Sequence, residues 1–210
     1  VCSSDLFEDI PMGFGIHDAS IPVLVHALKA LSAILKKGAD HAKAKNIDPT
    51  VLLQSRLFPD MFPLVRQVQV ATDMSKGGAA RLAGLENPVF PDVETSFPEL
   101  QDRIDRAIAF IRSVKPAQME SAATRPVTLQ LGRGPVSFAR GQDYLTGWVL
   151  PNVYFHITTA YNILRHNGVE LSKSDFLGAV PGAVMPGAPT KKAQATKKKP
   201  PTRKSVRTRK

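Results

Sequence analysis

The sequence contains a single cysteine, Cys2, one tryptophan and only 7% aromatic residues among its 210 residues. One cysteine excludes an intramolecular disulfide, which argues against a small secreted domain held together by disulfides. No run approaches the ~18 consecutive apolar residues of a membrane-spanning helix, and no basic start followed by an apolar stretch indicates a secretory signal. We therefore expect a cytoplasmic protein with no membrane partner.

The sequence also lacks the motifs of the common catalytic and cofactor sites. It has no phosphate-binding loop, nucleophile elbow or dinucleotide fingerprint. The run Gly132-Arg133-Gly134 lies between two segments of alternating apolar residues, which is typical of a hairpin turn rather than of a nucleotide loop. We therefore expect no cofactor.

The net charge of +10 is confined to the end of the chain. Residues 191–210 hold seven lysines, three arginines and no acid, which leaves 18 basic against 18 acidic groups in all other residues. These twenty residues have too little apolar surface to fold alone, and residues 179–190 have the Pro/Gly/Ala composition of a linker. We predict a disordered tail that binds polyanions such as nucleic acid non-specifically, through Lys191, Lys192, Lys197, Lys198, Lys199, Arg203, Lys204, Arg207, Arg209 and Lys210. The alternative is a solvated tail that only aids solubility.

Residues 1–11 differ from the rest of the chain because they resemble a translated scar rather than the start of a domain. Met12 follows directly and is a plausible initiator. We expect residues 1–11 to be a disordered or non-native extension, with an ordinary frayed terminus as the alternative. The folded domain is then predicted to cover residues 12–178.

Apolar residues with helical spacing predict two long helices in the first half of the domain. The first is expected to begin near Asp18 or Ser20, either of which can cap a helix, and to end before Asn46. The second follows Pro63 and ends near Ala83, where the next residue is a glycine suited to a helix C-cap.

The second half of the domain is predicted to contain a third helix, a hairpin and a fourth helix. Ser96 and Glu99 form the capping box of the third helix. Alternating apolar residues on both sides of the glycine turn then predict two short strands. The fourth helix is expected from about Gln142 to Asn167. Together these elements indicate an all-α protein, an antiparallel four-helix bundle with a small β-hairpin before the last helix.

Three motifs resemble an uncharacterised bacterial domain-of-unknown-function family, which is placed with the DinB-like four-helix bundles. They are the runs at residues 59–64, 141–145 and 150–156, with sequences PDMFPL, GQDYL and LPNVYFH. The resemblance covers roughly residues 12–178 and implies the bundle fold. It leaves the activity open.

Better understood DinB-like relatives bind a divalent metal through three histidines, and some of them are thiol-dependent transferases. One ligand is on the second helix, and two are spaced i, i+4 on the fourth. In this chain His156 is suitably placed on the fourth helix, but its i+4 position is Ala160 and no histidine lies between Pro63 and Gly84. The resemblance therefore implies a metal site that these residues do not reproduce.

His156 shares the apolar face of the fourth helix, so we expect it to point into the bundle. It is either a neutral core histidine bonded to a neighbour, which we favour, or a metal ligand or general base. His26 is the other candidate ligand, although two histidines fall short of the usual three protein ligands of zinc. Tyr161 and Asp73 complete the catalytic candidates, but such residues more often belong to the core and the surface, respectively.

We expect a DinB-like bundle without a standard metal-dependent active site, either non-catalytic or cryptically catalytic, whose tail tethers it to nucleic acid as an accessory property. One alternative is a metal-dependent transferase or hydrolase that uses His156 and Zn²⁺ or Ni²⁺. A second alternative is a homodimeric binding module with its interface on the bundle.

Overall fold

The computed structural model describes residues 14–132, 134–180, 182 and 183. From Phe14 to Ala179 these residues form one compact unit. The predicted N-terminal extension, the ten basic residues of the predicted tail and most of the predicted linker lie outside the described residues.

Four long helices build the unit, namely α1 (Ile16–Lys45), α3 (Leu64–Ala83), α4 (Phe97–Ser113) and α6 (Leu150–His166). The short helices are α2 (Pro49–Gln54), α5 (Gly141–Tyr144) and α7 (Lys173–Leu177), and a 3-10 turn covers Pro116–Met119. Helix α3 packs against both α4 and α6, and α1 packs against the same two helices from the other side. Helices α1 and α3 therefore separate α4 from α6. The predicted four-helix bundle is confirmed.

Helix α1 begins earlier than predicted. Its N-cap is Gly15, and the carboxylate of Asp18 accepts a hydrogen bond from the Gly15 N–H over 3.4 Å. Ser20 lies inside the helix, where its hydroxyl donates to the carbonyl of Ile16 over 2.6 Å. The predicted start at Asp18 or Ser20 is therefore wrong, because both side chains bond to backbone groups of a first turn that has already formed.

Helix α1 is also long and apolar enough to cross a membrane by length and composition, but more than half of its apolar window is buried inside the bundle. The core helix of a bundle passes the same test. This window is therefore little reason to expect a membrane span.

The predicted caps lie where the sequence places them. Gly84 follows α3 in the left-handed conformation, with φ of 69°. The Ser96 hydroxyl accepts from the N–H of Glu99, whose carboxylate accepts from the N–H of Ser96 over 2.9 Å. These reciprocal bonds satisfy two amides that the first turn of α4 leaves free.

Strands β1 (Val127–Leu131) and β2 (Gly134–Phe138) form the predicted antiparallel hairpin, in which Leu129 lies opposite Val136. The chain then turns into α5. The predicted single helix is interrupted between α5 and α6 by a π-helical segment, Leu145–Val149, where the Leu150 N–H donates to the carbonyl five residues earlier. This wider turn comes just before Pro151, which has no N–H and whose ring would collide with a carbonyl of a regular helical turn.

Candidate functional site

Helix α3 carries two different polar sites on the sides that face α4 and α6. The first, which we call the charged cluster, surrounds Arg103 of α4. The second, which we call the histidine pocket, is a cavity beside His156 of α6. The two sites differ in whether any of their polar groups remains for a ligand.

Arg103 is completely buried, and each of its three guanidinium nitrogens donates to at least one acceptor. Its hydrogen bonds and an additional ion-pair contact with Asp92 are 2.8–3.2 Å long. Their acceptors are the Thr72 hydroxyl, the Pro91 carbonyl and the carboxylates of Asp73, Asp92 and Glu94.

The acidic partners of Arg103 have further partners of their own. Gln69 donates to Glu94 over 3.0 Å, Lys76 lies 3.2 Å from Asp73, and Arg66 pairs with Asp92. The ring of Phe90 completes the charged cluster, with cationic groups of Lys76, Arg103 and Arg106 at 4.9, 5.7 and 4.6 Å from its centroid. The cluster ties the loop between α3 and α4 to both helices.

Asp73, a catalytic candidate from the sequence, is an ion-pair partner of Arg103 and Lys76 at the edge of this cluster, with its side chain 33% exposed. The sequence analysis missed Arg103 altogether. A signal was present, because Arg103 lies on the apolar stripe of α4 between Leu100 and Ala107, where an unpaired charge would be costly.

The histidine pocket is built around one hydrogen bond between α6 and α3. His156 is 8% exposed, and its Nδ1 lies 2.7 Å from Oε1 of Gln67. The Gln67 Nε2 donates to the carbonyl of Phe62 over 3.0 Å, which orients the amide oxygen toward the histidine. Because an amide oxygen can only accept, Nδ1 of His156 must carry the proton.

Burial lowers the pKa of His156, and the positive charge of Arg66 lowers it further. The imidazole is therefore neutral near pH 7 and, with its proton on Nδ1, has an acceptor lone pair on Nε2. No side chain in the described part of the chain donates to this nitrogen. His156 is thus a fixed hydrogen-bond acceptor whose second nitrogen is left without a protein partner.

The cavity beside His156 measures about 230 Å³ and is open to solvent, with a lining of Asp60, Met61, Phe62, Gln67, Phe155 and His156. Phe62 and Phe155 are 52% and 57% exposed, an unusual position for large apolar rings. The Phe155 ring meets the imidazole at 87° with 5.2 Å between centroids. The cavity can therefore hold a small molecule with an apolar body and a polar group directed to His156.

The other two sequence candidates lie at a different place. His26 of α1 donates from Nε2 to the carbonyl of Leu177 over 2.7 Å. The ring of Tyr161 packs edge-on against Phe176, with centroids 6.3 Å apart. Both residues hold α7 against the long helices, so the structure does not bring His26, Tyr161 or Asp73 to His156.

The sequence resemblance implies a divalent metal at His156, and the residues around this histidine decide whether a metal fits. His156 is accompanied at its i+4 position by the buried methyl of Ala160, and the α3 residue that faces it is Gln67. Within the described ranges, no three His, Cys, Asp or Glu side chains converge on one point. A metal held by three histidines therefore does not fit the residues present.

The comparisons with known proteins agree with the fold. Residues 16–177 match the family described as Domain of unknown function (DUF1993). The chain is also similar to the crystal structure of a DinB family member protein from Shewanella denitrificans at 1.83 Å resolution, with 40% sequence identity and a TM-score of 0.73. That match covers 80% of this chain and 95% of the other chain. No curated protein matches. The resemblance inferred from the sequence is confirmed, and the chain belongs to the DUF1993 family of DinB-like helical proteins.

Proposed function

We propose that this protein is a metal-independent binding bundle that holds a small organic ligand in the histidine pocket. The hydrogen bond between His156 and Gln67 carries the proposal. It uses the α3 residue that faces the histidine, fixes the tautomer and leaves Nε2 without a partner among the described residues, on a side chain that lines an open cavity with an aromatic rim. A preformed cavity with few polar groups is typical of small-molecule sites.

The same geometry favours binding over catalysis. Neutral His156 and the carboxylate of Asp60 line the same cavity and can each accept a proton, but its lining has no hydroxyl, thiol or amine nucleophile to complete a catalytic set. Asp73 is committed to Arg103, and Tyr161 packs beside α7. The alternative is a transferase or hydrolase that holds Zn²⁺ or Ni²⁺ at His156 with ligands other than histidine.

Thermal unfolding in the presence of metal separates these two functions. We expect Zn²⁺ and Ni²⁺ to leave the melting temperature of the untagged protein unchanged, and the purified protein to contain far less than one equivalent of metal. A ligand that binds only the folded state would raise the melting temperature by mass action. The matched variant is His156→Ala. Stoichiometric metal with a stabilisation that this variant abolishes would establish the metal-dependent alternative.

A second property is proposed for the basic tail, which lies outside the described residues. The argument is the separation of charge along the chain, with all of the excess in residues 191–210. We expect the full chain to bind duplex DNA without sequence preference and to lose that binding steeply as salt is raised, because phosphate contacts release counterions. A chain that ends at Gly178 should not bind. Equal affinity of the two chains at low salt would remove the tail from the proposal.

Self-association is the remaining alternative, because a homodimer would cover the exposed rings of Phe62 and Phe155. Exposed apolar patches often mark protein interfaces. Sedimentation velocity over a wide concentration range tests this possibility. We expect a monomer, and a dimer weakened by Phe155→Ser would favour the homodimeric module instead.

A further inference from the structure

The polar groups around the histidine pocket are acceptors, and this asymmetry indicates what kind of ligand would fit. We propose that the pocket takes an organic cation, an ammonium or amidinium group carried on one small apolar or aromatic body. This inference rests on the proposed binding function and adds the chemical class of the ligand.

Two acceptors are available to such a ligand. One is Nε2 of His156, whose ring is oriented by Gln67. The other is the carboxylate of Asp60, which lines the same cavity and has no hydrogen bond or ion pair with any residue of the described chain. Two side chains of the lining carry donors, and both are engaged within the protein: Nε2 of Gln67 donates to the Phe62 carbonyl, and Nδ1 of His156 donates to Gln67. A ligand must therefore bring the donors itself.

Among ligands that carry hydrogen-bond donors, the aromatic rim favours those with a positive charge. The faces of Phe62 and Phe155 carry partial negative charge and attract a cation that lies over them. Arg66 already shows this preference, because its guanidinium lies 5.7 Å from the Phe62 centroid. Arg66 is paired with Asp92 but still lowers the pKa of His156, so the attraction for a second cation comes from Asp60 and the two aromatic rings and acts against Arg66.

An anionic ligand fits poorly, because a carboxylate or phosphate needs donors and would lie beside Asp60. The cavity volume limits the size of the ligand. A volume of about 230 Å³ corresponds to roughly eight water-sized groups at ~30 Å³ each. A single ring with a short side chain therefore fills the cavity.

Benzylamine, benzyl alcohol and benzoate have nearly equal shapes, so a comparison of their affinities separates the effect of charge from that of apolar burial. Each is titrated into the full chain at pH 7, and binding is measured from the backbone amide resonances of Phe62, Gln67 and His156. We expect millimolar binding of benzylamine, at least fivefold weaker binding of the alcohol and no saturable shift with benzoate. Raised salt should weaken the binding of benzylamine and leave that of benzyl alcohol unchanged.

The variant Asp60→Asn should bring the affinity for benzylamine down to that for benzyl alcohol. Asp105→Asn is the matched control, because Asp105 is also exposed but lies on α4, away from the pocket, and it should keep the preference. Equal binding of amine and alcohol by the unaltered protein, or a preference that survives Asp60→Asn, would overturn the cationic ligand while leaving the binding pocket in place. Absence of any shift with all three probes would instead overturn the proposed binding function itself.

Discussion

The charged cluster and the histidine pocket are made in similar ways but differ in how many of their polar groups have partners. In each of them a buried basic side chain from a neighbouring helix meets polar residues of α3. Arg103 donates from all three of its guanidinium nitrogens, whereas His156 uses one ring nitrogen and has no partner for the other among the described residues. Both sites lie on the same helix, so the fold alone does not explain why one site has more of its polar groups paired than the other.

The comparison shows how polar groups inside a bundle can be divided between stability and binding. A buried polar network whose members are all paired makes the structure more specific and has nothing left to offer a ligand. A buried side chain with one free acceptor keeps a group whose hydrogen-bonding capacity a ligand can complete. We therefore expect substitutions in the charged cluster to change stability, and substitutions in the histidine pocket to change binding and pH dependence more than stability.

The largest effect is expected for Arg103→Met. Removal of the guanidinium takes the nearest ion-pair partner from Glu94, which is 8% exposed, and leaves it only Arg106 at 3.8 Å as a cationic partner. Asp73 and Asp92 each lose one of their two cationic partners. Breaking a buried pair on one side typically costs about 3–5 kcal/mol. Urea unfolding followed by circular dichroism should therefore show a loss of this size in the free energy of unfolding.

Arg106→Met is the control for this prediction. Arg106 also lies over Phe90, but its side chain is 45% exposed, its closest partner is the exposed Asp102 at 2.9 Å, and it reaches the buried Glu94 only at 3.8 Å. An exposed pair of this kind contributes about 1 kcal/mol or less. If the two substitutions lower the free energy of unfolding by similar amounts, the pairing of polar groups inside the buried cluster is not what stabilises the protein.

The difference between the two regions also explains what could be predicted from sequence. The helix boundaries at Asn46, Gly84 and Ser96 depend on local backbone chemistry, and all three were predicted correctly. The apolar face that carries His156 follows from helical spacing alone. Partners far apart in sequence were not predictable in this way, because the contact between Gln67 and His156 joins residues 89 positions apart.

The π-helical segment was missed for a related reason. A proline inside a helical pattern indicates a disturbance, and Pro151 gave that signal. The sequence pattern does not distinguish a kink from a wider turn, because packing against α3 decides between them. At this point an ideal Cβ on Gly78 would lie 2.6 Å from Cγ1 of Val149. The glycine thus allows the π segment to lie directly against α3.

An intermediate effect is expected for Gly78→Ala, which tests whether α3 is held tightly between the two regions. The added methyl would overlap Val149, and overpacking costs about 1–3 kcal/mol, against a gain of about 1 kcal/mol in helix propensity. We expect a net loss of up to about 2 kcal/mol in the free energy of unfolding, measured in urea.

Gly77→Ala is the matched control on the next residue. There the Cβ would meet only the end of the flexible Arg81 side chain, at 2.6 Å from its Nη1, apart from ordinary contacts with Asn87. The Arg81 side chain can move, so the higher helix propensity of alanine should dominate and stabilise the protein by up to about 1 kcal/mol. If both alanines destabilise the protein equally, the close contact with Val149 does not hold α3 in place.

The smallest effect is expected for the pH dependence that His156 gives to stability. Its pKa is lowered in the folded protein by burial and by Arg66, so the folded state binds fewer protons than the unfolded state below the usual histidine pKa of about 6.5. Stability should then be constant with respect to this group above that pH. It should fall as the pH drops from about 6.5 through the lowered folded-state value.

The variant His156→Gln removes the titrating group at the same position. We expect the difference in unfolding free energy between wild type and His156→Gln, measured in urea between pH 8 and pH 5, to change only below about pH 6.5 and in favour of the variant. Parallel curves over the whole range would mean that the folded protein tolerates a protonated His156 as well as the unfolded chain does. In that case the imidazole would not be the neutral acceptor on which the binding of a donor ligand depends.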